Sequence, residues 1–201
     1  MTAEVPSTAV VLTPYDPSWP VMFSLLRDVF ARALGDVALA IEHVGSTSIP
    51  GLLAKPVIDI DIVMASADHL AHTVRALAVL GYRHNGCQDI PGREVFKRDQ
   101  QADVPRDGSG RHWPAHNLYV CARDADELRR HIVFRDWLRA HPAAAAEYGV
   151  LKLHLAELHG HDRDIYSEAK TEFVEAIIAK ADASCAPVGR LNTEKGPARD
   201  G

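Results

Sequence analysis

The pattern of hydrophobic and polar positions divides the chain into strand-like and helix-like segments. Six short aliphatic or β-branched segments predict strands at 9–13, 37–44, 57–64, 82–84, 93–98 and 116–121. Five longer segments, most of them opened by a capping residue or a proline, predict helices at 18–34, 66–80, 124–140, 142–159 and 163–181. This order predicts an α/β (α+β) domain with a mixed central sheet, flanking helices and a helical C-terminal segment.

Two segments lack an apolar period. Residues 99–114 are polar and rich in turn formers, so we expect either a mobile loop or a long hairpin connection before the last strand. Residues 183–201 combine proline, glycine and charge, which is typical of a disordered tail. The predicted organisation is therefore one domain, 1–182, followed by a tail.

The strand at 57–64 carries two acidic residues in an otherwise aliphatic sequence. Because side chains alternate between the faces of a strand, its isoleucines share one face and Asp59 and Asp61 share the other. Two carboxylates about 7 Å apart repel each other, and a divalent cation bound by both relieves that cost. Mg²⁺ is the first candidate, with Mn²⁺ second. The alternative is an antiparallel strand with one solvent face and no metal.

A turn of small residues precedes this strand. Gly45 and Ser46 open the turn at 45–48, which follows the strand at 37–44 and has no bulky side chain to cover its amides. Such amides form a concavity that binds a phosphate. A metal held by Asp59 and Asp61 would bridge to the same phosphate oxygens.

These motifs resemble those of a known superfamily. Gly45-Ser46 followed by Asp59-x-Asp61 resembles the signature of the DNA polymerase β-like nucleotidyltransferases. The longer stretches HVGSTSIPGL (43–52) and KPVIDI (55–60) look like the GrpB family, a poorly characterised branch of that superfamily. The resemblance implies a nucleotidyltransferase-like fold, a bound nucleotide, and Asp59 and Asp61 as catalytic metal ligands.

The resemblance also implies further nucleotide-binding residues. It places His43 at the mouth of the site, where it orients Ser46 or contacts phosphate; packing beneath the turn is the alternative. Two Tyr-Lys pairs, each about one helical turn apart, lie at positions that resemble recurring GrpB features, which makes the lysines candidate triphosphate ligands. The alternative is an ordinary half-buried helix face. These pairs are Tyr148 with Lys152 and Tyr166 with Lys170.

Two more cations lie in the strand at 93–98. A period of two places Arg93 and Lys97 on one face, where they either meet the phosphates or protect an exposed strand edge. Both interpretations remain open.

Composition and charge limit the classes of partner that we expect for this protein. The 201 residues are 47% hydrophobic, enough for one core, and a formal net charge of -5 argues against an extended nucleic-acid partner. The three cysteines have no paired metal spacing, and no signal segment or membrane-spanning run is present, so we expect a cytoplasmic protein without membrane contact. The oligomeric state is not determined by these features.

The resemblance leaves one gap in the predicted chemistry. Superfamily enzymes usually add a third carboxylate from a later strand, but 116–121 offers none, so His116 becomes the provisional catalytic base and Glu94 the second choice. The leading hypothesis is metal-dependent transfer of a nucleotidyl group from a nucleoside triphosphate to a small acceptor. The alternatives are a non-catalytic nucleotide-binding or accessory module, and a ligase-like enzyme that adenylylates a carboxylate. GrpB-like domains also resemble the extra domain of dephospho-coenzyme A kinases, which suggests coenzyme A metabolism for the accessory role.

Overall fold

A computed structural model describes residues 10–98 and 103–185, which form a five-stranded mixed sheet with helices on both faces. The strands lie in the order β1-β2-β5-β4-β3; β2 and β5 are parallel and the other neighbours are antiparallel. This confirms the predicted α/β architecture. The strands are β1 (Ala38–Val44), β2 (Ile58–Met64), β3 (Tyr82–His84), β4 (Arg93–Arg98) and β5 (His116–Ala122).

Helices α1 and α2 cover the face of the sheet that carries the β2 isoleucines. Ile60 and Ile62 are fully buried against Leu26 and Phe30 of α1 and Leu77 of α2. Each such side chain contributes about 1.5–3 kcal/mol by leaving water. The alternation of the strand therefore sets the core face, as the sequence predicts. The helices of this face are α1 (Trp19–Leu34) and α2 (Leu70–Val79).

The opposite face, which carries the two aspartates, is covered by the C-terminal helices. Leu128 of α3 packs against Val63 and Cys121 of the sheet, and Tyr148 of α4 packs with Ile177 of α6 in a neighbouring cluster. The helical C-terminal segment therefore lies over the candidate site. Its helices are α3 (Asp126–Ala140), α4 (Pro142–His159), α5 (Arg163–Glu168) and α6 (Thr171–Cys185).

Several element boundaries differ from the sequence-based prediction. Over 10–13, the described part of the strand predicted at 9–13, the structure has an isolated bridge between Thr13 and Ala54. The helix expected over 163–181 is two helices, α5 and α6, and no glycine or proline marks the break. Helix α3 begins at Asp126, two residues after the predicted start at 124, and its N-cap residue Ala125 makes no side-chain capping hydrogen bond.

The long connection and the C-terminal end differ as well. The described part of the connection is anchored to the core, because Val104 is fully buried and Trp113 packs against the main cluster. Helix α6 continues to Cys185, so the first residues of the predicted tail are helical. The rest of that tail, 186–201, and residues 99–102 lie outside the described residues. Within the described residues, none of the helices combines the length and the apolar character needed to cross a membrane.

Candidate functional site

Asp59 lies near the start of β2, on the face of the sheet that the C-terminal helices cover. The strand register pairs it with Val44 of β1 on one side and with Asn117 of β5 on the other. Its Oδ1 accepts a hydrogen bond of 2.7 Å from Nδ2 of Asn117. Burial raises the pKa of Asp59, although the Asn117 hydrogen bond opposes that change. Asp59 is nevertheless partly exposed, so it is the aspartate that a ligand reaches.

Asp61 shares that face of β2 but is fully buried beneath α3. Its Oδ2 lies 2.7 Å from Nδ1 of His131, and Nε2 of His131 lies 3.3 Å from Glu127. Burial lowers the pKa of His131, but the hydrogen bonds to Asp61 and Glu127 outweigh it and raise the pKa to about 9. His131 is therefore an imidazolium at neutral pH and pairs with Asp61. Within the described residues, Oδ1 of Asp61 is buried without a hydrogen-bond partner.

The Gly-Ser turn packs directly against Asp59. Gly45 has φ of +68°, and a methyl group there would lie 2.9 Å from Cγ of Asp59 and closer still to Oδ2. The hydroxyl of Ser48 donates to the Gly45 carbonyl at 2.6 Å, which closes the turn. The hydroxyl of Tyr148 is hydrogen-bonded to the Ser46 side chain. The predicted neighbourhood of turn and carboxylate is therefore present.

A cleft of about 740 Å³ opens beside Asp59 and the turn. Its volume falls within the roughly 300–1,000 Å³ range of small-molecule sites. Among the described residues that line it, Asp59 is the one acidic side chain. The cleft is therefore strongly cationic. Its basic lining residues are Lys55, Lys97, Arg98, Lys152 and Lys170.

Lys152 is the most deeply buried of these cations, with a relative exposure of 2%. Its ammonium donates a hydrogen bond to the Leu53 carbonyl. Burial, helped by the neighbouring charge of Lys170, lowers the pKa of Lys152 to about 7. No ion pair joins Lys152 to a carboxylate within 10–98 and 103–185. A buried cation without an anionic partner is costly, and an anion in the cleft would offset that cost.

The two predicted Tyr-Lys pairs exist as side-chain contacts. The Lys152 ammonium lies 4.9 Å from the ring centroid of Tyr148, and that of Lys170 lies 4.3 Å from the centroid of Tyr166. Lys55 approaches the Tyr166 ring from another direction, at 5.2 Å. Cation–π attraction to the tyrosine rings therefore holds the lysine ammonium groups close to one another.

His116 is among the residues that line the cleft, but its side chain contacts other groups, and its role as the catalytic base stays a prediction. Because Asn117 points to Asp59, the neighbouring His116 side chain lies on the opposite face of β5. There its Nε2 lies 2.5 Å from the Tyr82 hydroxyl and its Nδ1 lies 2.7 Å from the Pro114 carbonyl. Burial lowers its pKa to about 4. Glu94, the second candidate for the base, has its Oε2 2.6 Å from Nε2 of His84, at hydrogen-bond distance.

His43 packs beneath the turn, as the alternative interpretation had it. Its Nε2 lies 3.0 Å from the hydroxyl of Thr47, and its ring stacks on Phe23 with the centroids 4.7 Å apart. Burial lowers its pKa to about 4, so it is neutral at physiological pH. His43 therefore shapes the turn and is not among the residues that line the cleft.

Arg93 and Tyr148 also have roles other than those predicted. Arg93 lies outside the cleft lining, 3.5 Å from Glu127, with its guanidinium 4.9 Å from the ring centroid of Tyr119. Tyr148 is buried, and its ring stacks on Phe173 at 5.1 Å, so that face is closed to a nucleotide base. Lys97 does line the cleft, as predicted for one of the two β4 cations.

Sequence reasoning missed Asn117 and His131, the two side chains that hold the aspartates. Alternation along 116–121 already places Asn117 on the face opposite His116, so the pattern contained a signal for it. His131 is 70 residues from Asp61, and nothing in the local pattern of α3 identifies it.

The donor set fits one divalent ion better than two. Mg²⁺ is usually held by one or two carboxylates together with substrate phosphates. Asp59 lines the cleft and offers such a hard oxygen donor, whereas Asp61 is fully buried and is not among the lining residues, so its Oδ1, which lacks a hydrogen-bond partner among the described residues, is the second donor on offer. Within the described residues, no group of three or more His, Cys, Asp or Glu side chains is arranged to hold a metal.

Comparison with solved structures shows which known folds this one resembles. The model superposes on the Cid1 poly(U) polymerase, in a mutant form bound to MgATP, with a TM-score of 0.50 and 14% identity over 72% of this chain and 44% of that one. This likeness concerns the fold alone. The crystal structure of GrpB from Enterococcus faecalis matches with a TM-score of 0.74 and 28% identity, covering 87% of this chain and 98% of that chain.

The chain belongs to the GrpB family, whose model, described as GrpB protein, matches residues 9–180. UPF0157 protein BH1888 from Halalkalibacterium halodurans is 35% identical over 180 residues, which cover 89% of this chain and 85% of that protein. UPF0157 protein YqkA from Bacillus subtilis is 31% identical over 93% of this chain, which spans only 51% of YqkA. A dephospho-CoA kinase from Mycolicibacterium paratuberculosis is 31% identical over 84% of this chain and 45% of the kinase.

Proposed function

We propose that the cleft binds a nucleoside triphosphate with a divalent metal, and that the protein transfers the nucleotidyl group to a small acceptor. The observation that carries this proposal is Lys152, a buried ammonium in the cleft that has no carboxylate partner in the described part of the chain. A polyphosphate supplies the missing negative charge. Lys55 and Lys170 line the same cleft and add to the attraction.

The residues around Lys152 would contact different parts of the bound nucleotide and its metal. The turn at Gly45 and Ser46 offers backbone amides and a hydroxyl to phosphate oxygens. Tyr166 positions the ammonium groups of Lys55 and Lys170 through its ring. Asp59 and Asp61 would hold Mg²⁺ or Mn²⁺, which offsets negative charge on the transferred group when it is bound.

The proposed transfer is an in-line displacement at the α-phosphorus. A hydroxyl oxygen of the acceptor attacks the α-phosphorus, the bond from that phosphorus to its bridging oxygen breaks, and pyrophosphate leaves. The hydroxyl proton passes to solvent. The lysines stabilise the negative charge that collects on the leaving pyrophosphate, because they are fixed in the cleft before the reaction begins.

A specific observation favours a second function, nucleotide binding without turnover. Asn117, rather than a third carboxylate, is paired with Asp59, and His131 occupies one oxygen of Asp61. Among the described residues that line the cleft, Asp59 is the one carboxylate, so no further carboxylate is present there to activate an acceptor hydroxyl. The likeness to dephospho-CoA kinases suggests an accessory role in coenzyme A metabolism for such a module. Adenylylation of a carboxylate would use the same nucleotide site with a different acceptor.

Binding and product release distinguish these functions. Purified protein is incubated with labelled ATP, GTP, CTP or UTP and Mg²⁺ or Mn²⁺, first alone for equilibrium dialysis and then with a metabolite extract for pyrophosphate release. Metal-dependent binding with pyrophosphate supports transfer, and binding without pyrophosphate supports the module.

Matched variants test the site itself. Lys152→Met and Asp59→Asn should each weaken nucleotide binding at least about tenfold, because each removes a charge-assisted contact to the metal–polyphosphate. Lys180→Met, which removes an exposed lysine from α6, should leave the affinity unchanged. Affinity that is equal in wild type and both site variants contradicts the proposal.

A further inference from the structure

The groups of the cleft are ordered across the sheet by its register. Val44, which precedes the turn, pairs with Asp59, and Asp59 pairs with Asn117 on the other side. Strand β4 lies beyond β5, and its Lys97 lines the cleft. Because neighbouring strands are about 4.8 Å apart, β4 is roughly 10 Å from β2 on the side away from the turn.

The order of these groups across the sheet indicates the side from which an acceptor approaches the nucleotide. This step rests on the proposed function. The triphosphate occupies the turn side of the cleft, where Lys152, Lys170 and Lys55 lie. In phosphoryl transfer the attacking and leaving oxygens are roughly in line, on opposite sides of the phosphorus. Pyrophosphate that leaves towards the turn requires an acceptor oxygen that approaches from the side of β5 and β4.

The side of the cleft formed by β5 and β4, which we call the acceptor side, carries positive charge of its own. Lys97 of β4 lines it on the face of the sheet that carries Asp59, together with Asn117 and the apolar Val95, and Arg98, whose side chain alternates to the opposite face, lines it at the end of the strand. The one acidic side chain among the described lining residues, Asp59, lies at the boundary between the two sides. An acceptor rich in amines would meet like charges here, whereas an acceptor with an anionic group is attracted.

These β4 cations are additional to those needed for the nucleotide. Three lysines and the turn already face the triphosphate side, so two more cations two strands away are not explained by nucleotide binding. We infer that the acceptor is a small molecule with a phosphate or carboxylate group, bound by Lys97 and Arg98, and with its attacking hydroxyl near Asp59. A long polynucleotide is a poorer match, because it needs an extended basic surface and the chain has a net charge of -5.

The first test separates the two sides of the cleft. The double variant Lys97→Gln, Arg98→Gln should bind ATP with an affinity within about twofold of wild type, whereas Lys152→Met loses at least about tenfold. If the double variant loses as much ATP affinity as Lys152→Met, the β4 cations hold the nucleotide and the inference is wrong.

The second test identifies the class of acceptor. A metabolite extract freed of nucleic acid is separated by anion exchange at neutral pH, and each fraction is supplied to the protein with ATP and Mg²⁺. Pyrophosphate release is expected with the retained fraction, and kcat/KM for that fraction should fall at least about tenfold in the double variant but not in Lys180→Gln. Phosphatase treatment of the active fraction distinguishes a phosphate group, which is removed, from a carboxylate, which is not.

Other outcomes overturn the inference in distinguishable ways. Release with the unretained fraction shows a neutral or cationic acceptor, and release with added RNA alone shows a polynucleotide acceptor. Release that is equal in wild type and the double variant shows that Lys97 and Arg98 do not bind the acceptor. No release with any fraction contradicts nucleotidyl transfer itself, and the acceptor site with it.

Discussion

At the scale of single residues, Gly45 determines how closely the turn approaches the acidic strand. Its φ of +68° favours glycine, and the space where a Cβ would lie is occupied by the Asp59 carboxylate. Asp59 is in turn fixed from the other side by the amide of Asn117. The position of the exposed carboxylate therefore depends on two neighbours, and only one of them was apparent as a motif.

Gly45→Ala tests this contact. We expect the free energy of unfolding to fall by about 2–3 kcal/mol, since the left-handed backbone conformation costs about 1–2 kcal/mol and the methyl group also displaces Asp59. ATP affinity should fall at least about tenfold. Urea unfolding and equilibrium dialysis measure the two effects.

Gly86→Ala is the matched control, because Gly86 has φ of +71° but nothing lies within 4 Å of its Cβ position. This variant should lose only the backbone component of stability and keep its ATP affinity. Equal losses in the two variants would show that the contact with Asp59 has no effect.

At the scale of elements, α3 is joined to the sheet by charged contacts as well as by apolar packing. His131 reaches Asp61 of β2 at 2.7 Å, and Arg135 reaches Glu42 of β1 at 2.7 Å and the His43 carbonyl at 3.0 Å. Asp61 is fully buried, so its charge depends on the imidazolium for compensation. The helix therefore stabilises the acidic strand electrostatically.

His131→Gln should lower the free energy of unfolding by about 3 kcal/mol at pH 6, because Asp61 loses its buried partner. The pKa of His131 in the folded protein is about 9, above the ordinary 6.5, so the folded state binds the extra proton. The stability difference between wild type and variant is therefore complete below about pH 6.5 and is lost as the pH rises through about 9.

Urea unfolding at several pH values between 6 and 10 measures that difference. His72→Gln, which replaces an exposed histidine of α2, controls for the loss of an imidazole as such. A stability difference that stays constant over this pH range would show that His131 does not act through its charge.

At the scale of the whole molecule, the ligand joins elements that are far apart in sequence. The cleft is lined by the turn, β2, β4, β5, α4, α5 and the connection after α5, so an occupant contacts both the sheet and the C-terminal helices. A ligand that binds only this assembled state stabilises the whole domain.

Saturating MgATP should therefore raise the melting temperature. At a concentration of about 100 times Kd the stabilisation is roughly 2.7 kcal/mol, which corresponds to about 5–10 °C for a domain of this size. Differential scanning fluorimetry measures this shift. The shift should be smaller with ATP plus EDTA and smaller in Lys152→Met. An equal shift with adenosine, which has no phosphate, would contradict the assignment of the lysines.

Sequence alone accounts for the features whose cause is local. The alternation of Val57 to Met64 determined which face is apolar and that Asp59 and Asp61 share the other. The phenol–ammonium spacing of Tyr166 and Lys170 was also correct. The break between α5 and α6 was not predicted from the sequence, because no helix-breaking residue marks it.

Tertiary structure decided which of these residues face the cleft and which are occupied elsewhere. The partner of Lys152 is 99 residues away and that of Asp61 is 70 residues away, distances over which periodicity carries no information. His116 and Arg93 had the right chemistry, but the fold gave them other partners: Tyr82 and the Pro114 carbonyl for His116, and Glu127 and Tyr119 for Arg93. Local pattern fixes the face on which a side chain lies, whereas its contacts and its pKa depend on the element that packs against that face.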